Sequence, residues 1–197
     1  MKVLFFPVTA LALAALTAGC DAKKVDPVQR GAYLVATMGC NDCHTPVRLD
    51  PAIGMPVPDG SRLLSGHPAA APQATGNLGG HDAALVGPTF TEFTMPFGKV
   101  YARNLTPDPE TGLGGWTAED FIRTARTGRW KGIGRPLLPP MPWMNMNAAT
   151  DEDLRAIFAY LKSIPAVKND VPMIDVSGAI VAGFAMAYEK ITGSKVH

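Results

Sequence analysis

Residues 38–46 read MGCNDCHTP: two cysteines two residues apart, with a histidine directly after the second. A disulfide, a zinc ion and a haem all draw on these residue types, and each implies a different job. The chain has three cysteines, Cys20, Cys40 and Cys43. A redox C-x-x-C pair of thioredoxin type sits after a strand in a βαβ unit, and no strand pattern precedes Cys40. A structural zinc site wants four ligands, usually as two separated pairs. There is no second pair, and His67, His81 and His197 lack finger spacing. What remains is C-x-x-C-H, the attachment pattern of a c-type haem.

The spacing has a chemical reason. Both thiols add to the haem vinyl groups, and a two-residue gap on one helical turn lets the sulfurs reach both edges of one ring. His44 then supplies the proximal imidazole. One such motif predicts one covalent haem c.

The first residues, MKVLFFPVTALALAALTAGC, place a lysine before an apolar run from Val3 to Leu16. That run has the anatomy of a signal peptide and is short for a membrane span. The ending LTAGC resembles a bacterial lipobox, which implies a cut before Cys20, a diacylglycerol on its sulfur, and a mature N-terminus there. Asp21 resembles the signal that keeps some lipoproteins in the inner membrane. The plainer alternative is an ordinary signal that leaves Cys20 as a free thiol, a liability in an oxidising compartment. The expected division is a signal over 1–19, a tether over 20–26, a haem domain over 27–172 and an extension over 173–197. Cleavage removes Lys2 and brings the basic residues level with the 17 acidic ones. That balance gives no charge pattern for nucleic acid.

Along the mature chain, Asp26-Pro27 reads as a cap followed by proline in the first turn, with Gln29 placed to close a capping box. A helix from Pro27 to Met38 then delivers the haem motif. Residues 45–100 are rich in Pro, Gly and Ala, show no sustained period, and read as a long wrapping insertion with one short helix near 68–74. Loops this long usually serve a site. His67 and His81 in it are candidate distal ligands, although surface loop histidines are the plainer reading. Thr117 caps a second helix that stops at Gly128. Thr150 caps a third, in which Leu154, Ile157, Phe158 and Leu161 trace one face before Pro165. Residues 176–191 predict a final helix packed on the domain.

A six-coordinate haem needs a second axial ligand, and methionine is favoured for electron transfer at raised potential. Among nine methionines, Met141 in LLPPMPW stands out, because prolines restrict the backbone that holds a weak thioether ligand. Met144 ranks second. Met38 shares the helical arm of the haem motif and does not readily reach the opposite face.

Three stretches in order, RGAYLVATMGCNDCHTP, NLTPDPETGLGGWTAEDFIRTARTG and MPWMNMNAATDEDLRAIFAYLKSIP, resemble a monohaem class I cytochrome c. More narrowly, they resemble the haem domains in cytochrome subunits of bacterial membrane-bound alcohol, aldehyde and gluconate dehydrogenases. The resemblance implies an all-α fold around one haem, with Cys40, Cys43, His44 and Met141 as its attachment and axial residues. It also implies a crossing of the first and last core helices at Gly31 and the Tyr160–Leu161 region. Arg103, Asn104 and Trp116, in or beside the NLTP loop, become candidates for propionate or ring contacts. Those subunits usually carry three haem domains, whereas this chain has one motif, and the tail beyond Pro172 has no counterpart.

The function these features predict is electron transfer on the periplasmic side of the inner membrane. Electrons would arrive from a dehydrogenase or quinol-oxidising complex and leave to a terminal oxidase or other acceptor. Such a protein is a carrier and not itself an enzyme. The competing readings are a haem enzyme or gas sensor with an open distal site, and a permanent single-haem dehydrogenase subunit.

Overall fold

The computed structural model describes residues 25–80 and 83–192. Cys20, His81 and the signal segment lie outside the described residues. The helical frame follows from local cap chemistry. Helix α1 (Pro27–Thr37) begins with proline in its first turn, and the Asp26 carboxylate accepts from the Val28 amide at 3.3 Å. Gln29 therefore closes no capping box. Helix α2 (Cys40–His44) follows a turn through Gly39, whose φ of 69° is left-handed. Helix α3 (Ala118–Thr127) is closed by a reciprocal box between Thr117 and Asp120 and stopped by left-handed Gly128. Helix α4 (Trp143–Asn147) is one short turn-rich piece. Helix α5 (Asp151–Ser163) starts at Thr150, whose hydroxyl accepts from the Asp153 amide.

Helix α1 packs across α5, and α3 packs against α5 and α4. Between them lies a core that includes Val35, Leu113, Trp116, Phe121, Ile122, Met146, Leu154, Ile157, Phe158 and Leu161. The crossing point is Gly31, where a Cβ would lie 2.8 Å from the Tyr160 Cβ and against the backbone carbonyl of Ala156. The contact is thus centred on Ala156 and Tyr160, about one turn earlier than Tyr160–Leu161.

The expectation of an all-α fold is corrected by two small antiparallel sheets. Strands β1 (Val47–Asp50) and β2 (Met55–Pro58) form a hairpin. Strands β3 (Leu85–Val86), β4 (Glu92–Met95), β5 (Gly98–Tyr101) and β6 (Asp175–Val176) form a four-stranded sheet in that order. The insertion is therefore a β-structured cover. Residues 68–74 hold no helix, only a turn in which the Ala71 amide donates to Pro68. The tail first adds β6 to the insertion sheet, pairing Val176 with Gly98. Helix α6 (Gly178–Thr192) follows. In place of a packed helix, it leaves Ile180 and Met186 exposed, and a Cβ on Gly178 or Gly183 would meet nothing within 4 Å.

Candidate haem site

The short helix α2 sets Cys40, Cys43 and His44 on consecutive positions of a single turn and a half. Both cysteines are free thiols of intermediate exposure. Burial pushes the Cys40 thiol up to about 11, with the Asp42 and Cys43 charges adding and a backbone hydrogen bond opposing. Burial also raises Cys43, again with Asp42 adding. These are protonated thiols, unlike the depressed thiolates of redox C-x-x-C pairs.

His44 is 8 % exposed, and burial lowers its pKa against the opposing pull of a backbone hydrogen bond. Its Nδ1 lies 2.7 Å from the carbonyl oxygen of Arg103. A carbonyl can only accept, so Nδ1 carries the proton and Nε2 is left with a free lone pair. This partner is the usual way a ligating imidazole is fixed in tautomer and orientation.

The insertion builds the frame around that histidine. Gly66 donates its amide to the His44 carbonyl at 2.8 Å, and Leu64 donates to the Thr45 hydroxyl at 2.9 Å. In turn, His67 donates to Ala102 and Leu105 donates to Leu64, both at 2.9 Å. Segments 64–67 and 102–105 thus run side by side, holding α2 from one and the imidazole from the other. Gly66 has φ of 76°, and a Cβ there would lie 2.5 Å from the Ala102 oxygen. Close approach and a left-handed backbone both demand glycine.

His67 is not a surface histidine. It is 1 % exposed, its Nδ1 lies 2.9 Å from the Thr91 hydroxyl, and its ring sits 4.9 Å from that of Tyr101. Its carbonyl accepts from the buried Asn169 amide.

Of the three residues suggested near the NLTP loop, Asn104 has its amide fully used within the protein. Nδ2 donates to Thr111 and to the Val167 carbonyl, while Oδ1 accepts from the amide and hydroxyl of Thr106. Nothing is left over for a ligand; it holds the loop. Trp116 is buried, edge-on to Trp130 at 4.7 Å. Arg103 donates through Nη1 to the carbonyls of Val171 and Pro172, yet its buried Nε has no partner among the described residues.

Arg135, which the sequence does not single out, accompanies Arg103. Burial holds both guanidiniums below their ordinary range, with Asp170 opposing at Arg103 and the Arg103 charge deepening the effect at Arg135. Two desolvated cations within each other's field, one with an orphaned donor, fit a group carrying carboxylates. No pattern in the chain flags Arg135, because its relation to Arg103 is made only by folding.

Met141 is half-buried and packs against the same core as Cys40. Its amide donates to Leu138 at 3.2 Å. Met144 is 43 % exposed, and Met146 is buried within the core itself. The best-defined groove, about 480 Å³, lies instead between Leu49 and Pro56 of the hairpin and Leu85–Phe90. None of the predicted site residues lines it. Two thiols, a buried imidazole with a free Nε2, a half-buried thioether and an anion-seeking arginine pair fit a c-type haem.

No family model matches the chain. Among curated proteins, a stretch of 77 residues is 42 % identical to part of the nicotinate dehydrogenase of Pseudomonas putida, spanning 39 % of this chain and 6 % of that one. Over 151 residues it is 30 % identical to the cytochrome c subunit of the quinone alcohol dehydrogenase of Gluconobacter oxydans, 75 % of this chain and 24 % of the relative. Similarity to the gluconate 2-dehydrogenase cytochrome c subunit of Pantoea cypripedii is 29 % over 133 residues, 68 % of this chain and 22 % of that one. The chain therefore spans about a quarter or less of the length of these relatives. Among the described residues no helix is long and apolar enough to cross a membrane. Over most of its length, then, the chain is a homologue of the cytochrome c subunits of bacterial alcohol, fructose and gluconate dehydrogenases.

Proposed function

We propose that this chain is an electron-transfer cytochrome c with one haem, tethered by a lipid on Cys20 to the periplasmic side of the bacterial inner membrane. The observation that carries the reading is the buried His44 imidazole, fixed through Nδ1 by the Arg103 carbonyl beside two free thiols. Cys40 and Cys43 would carry the thioether links, His44 Nε2 and the Met141 sulfur would be the axial ligands, and Arg103 with Arg135 would face the propionates. Bound there, a haem c supplies a one-electron Fe(III)/Fe(II) couple.

The residues around the site then do three things. The Arg103 carbonyl keeps the imidazole neutral and aimed. The core of α1, α3 and α5 excludes water from one side. Met141 fills the remaining axial position, which keeps other ligands out and makes electron passage the only chemistry left. Electrons would come from a dehydrogenase or a quinol-oxidising complex and go to a terminal oxidase or another acceptor. The relatives are named as subunits of dehydrogenases, which favours a second form of this reading, a permanent place in such a complex. Co-purification at high salt separates the two forms.

The test is Met141→Ala in haem-loaded protein. The haem should remain covalently attached while the visible band of iron–methionine sulfur ligation in the oxidised state disappears. Survival of that band would sink the ligand assignment. A native protein without the band, binding peroxide or carbon monoxide at the iron, would replace the carrier by an enzyme or sensor.

A further inference from the structure

The connection from α3 to the Met141 segment contains a tight loop, residues 129–136, that fold stability does not explain. Its base is pinched by a bridge between Arg129 and Pro136 and by the Trp130 amide donating to Arg135 at 3.0 Å. The Gly134 amide returns to the Trp130 carbonyl at 2.8 Å. At the tip, Lys131 and Gly132 both take left-handed backbone, with φ of 52° and 85°. For lysine that conformation costs free energy. Ile133 follows, 86 % exposed. A rigid loop that spends strain to hold an isoleucine in water is built to meet something.

The charges around that isoleucine are of one sign. Lys131 lies 5.4 Å from the Trp116 ring centroid, and Arg135 lies 5.3 Å from that of Trp130. The two indoles pack edge to face. Among the described residues neither cation, nor Arg129, is in an ion pair. The nearest carboxylate in play is Asp120, already bound to Arg123 and only weakly felt by Lys131. Trp130 in turn packs on the core that carries Cys40 and Met141. The loop is therefore wired mechanically to the haem site and points cations and one apolar side chain outward.

The geometry points to loop 129–136 as the docking surface for an acidic redox partner, with Ile133 entering an apolar dimple ringed by carboxylates. This rests on the carrier reading. Unpaired cations speed and orient the encounter. Trp- and Arg-backed contacts around a small apolar centre carry the binding energy. Preordering by the pinched base lowers the entropy cost. A tip of this size suits a transient redox contact.

The probe is a gold electrode bearing a mixed carboxylate- and methyl-terminated monolayer, with adsorbed mass and electron-transfer rate both recorded for haem-loaded full chain. Native protein should adsorb and exchange electrons at low salt. Lys131→Asn with Ile133→Asp should lose about tenfold in adsorbed mass there, the scale of removing charges from a steered contact. Asparagine tolerates the left-handed backbone, and Ile133→Ala alone gives a milder variant of the same test. Arg155→Gln, exposed on α5, should change nothing. Equal adsorption of native and double variant, with both reversible at a bare electrode, overturns the docking surface and leaves the carrier intact. A native protein with no reversible couple at any electrode overturns the carrier reading and the docking surface with it.

Discussion

Gly31 meets the backbone of Ala156 with no room for a methyl group: a Cβ there would lie 2.6 Å from the Ala156 carbonyl carbon and 2.8 Å from the Tyr160 Cβ. The neighbouring atoms are main chain of α5, which cannot swing aside as a side-chain tip can. Gly31→Ala should therefore push α1 off α5 and cost about 3 kcal/mol, the upper range for overpacking a core. The lower denaturation midpoint in urea checks this. Because α1 leads into α2, haem attachment should also fall. A midpoint equal to native would mean the helices cross with slack.

Asn104 joins two segments far apart in sequence. Its amide ties Thr106 and Thr111 to the carbonyl of Val167, all at 2.8–3.0 Å and almost wholly buried. Asn104→Ala leaves these groups without partners, so stability should drop by about 3 kcal/mol. The visible spectrum of attached haem should stay as in native protein. A shifted spectrum at unchanged stability would instead make Asn104 a direct haem contact.

Which parts are readable from the chain follows the range over which their causes act. Thr117 with Asp120, Thr150 with Asp153, and left-handed Gly128 are decided within four residues, so the helix ends can be read directly. Cys40, Cys43 and His44 are equally local. The sheets escape such a reading because β3 and β6 are two residues long and β1, β2, β4 and β5 four. Alternation cannot declare itself over so few positions. The β4–β5 hairpin turns through Pro96-Phe97, without the Asn-Gly or Asp-Gly signal of two-residue hairpins. The site's longest-range features are equally hidden. The carbonyl that orients His44 is 59 residues away, and the hydroxyl beside His67 is 24 away. A loop histidine with so distant a partner reads as exposed.

The lipid tether is tested by Cys20→Ser. If the cysteine carries the anchor, the variant should appear in the soluble periplasmic fraction, while native protein stays with the membrane until detergent is added. One acyl-bearing residue supplies the attachment, and no described helix spans a bilayer to replace it. A variant still in the membrane fraction would place the anchor in α6 or in an uncleaved signal.

His67 gives the fold a pH dependence whose sign can be fixed. Burial lowers its pKa; the Glu92 charge opposes this and the Lys99 charge adds to it. Tyr101 and Thr91 complete its surroundings. Unfolded, the ring protonates near its ordinary value of about 6.5. Folded, it protonates only at lower pH, so in between the unfolded chain binds more protons. Stability is then full above pH of about 6.5 and falls as the solution is acidified, by at most about 1.4 kcal/mol per pH unit, until the folded-state value is passed. In His67→Gln that loss should vanish, while any contribution from His44 is common to both proteins and cancels. Unfolding free energies at several pH values from about 7.5 to 5 provide the comparison. Parallel curves for native and variant would show that His67 is protonated equally in both states, and the buried neutral imidazole would have to be abandoned.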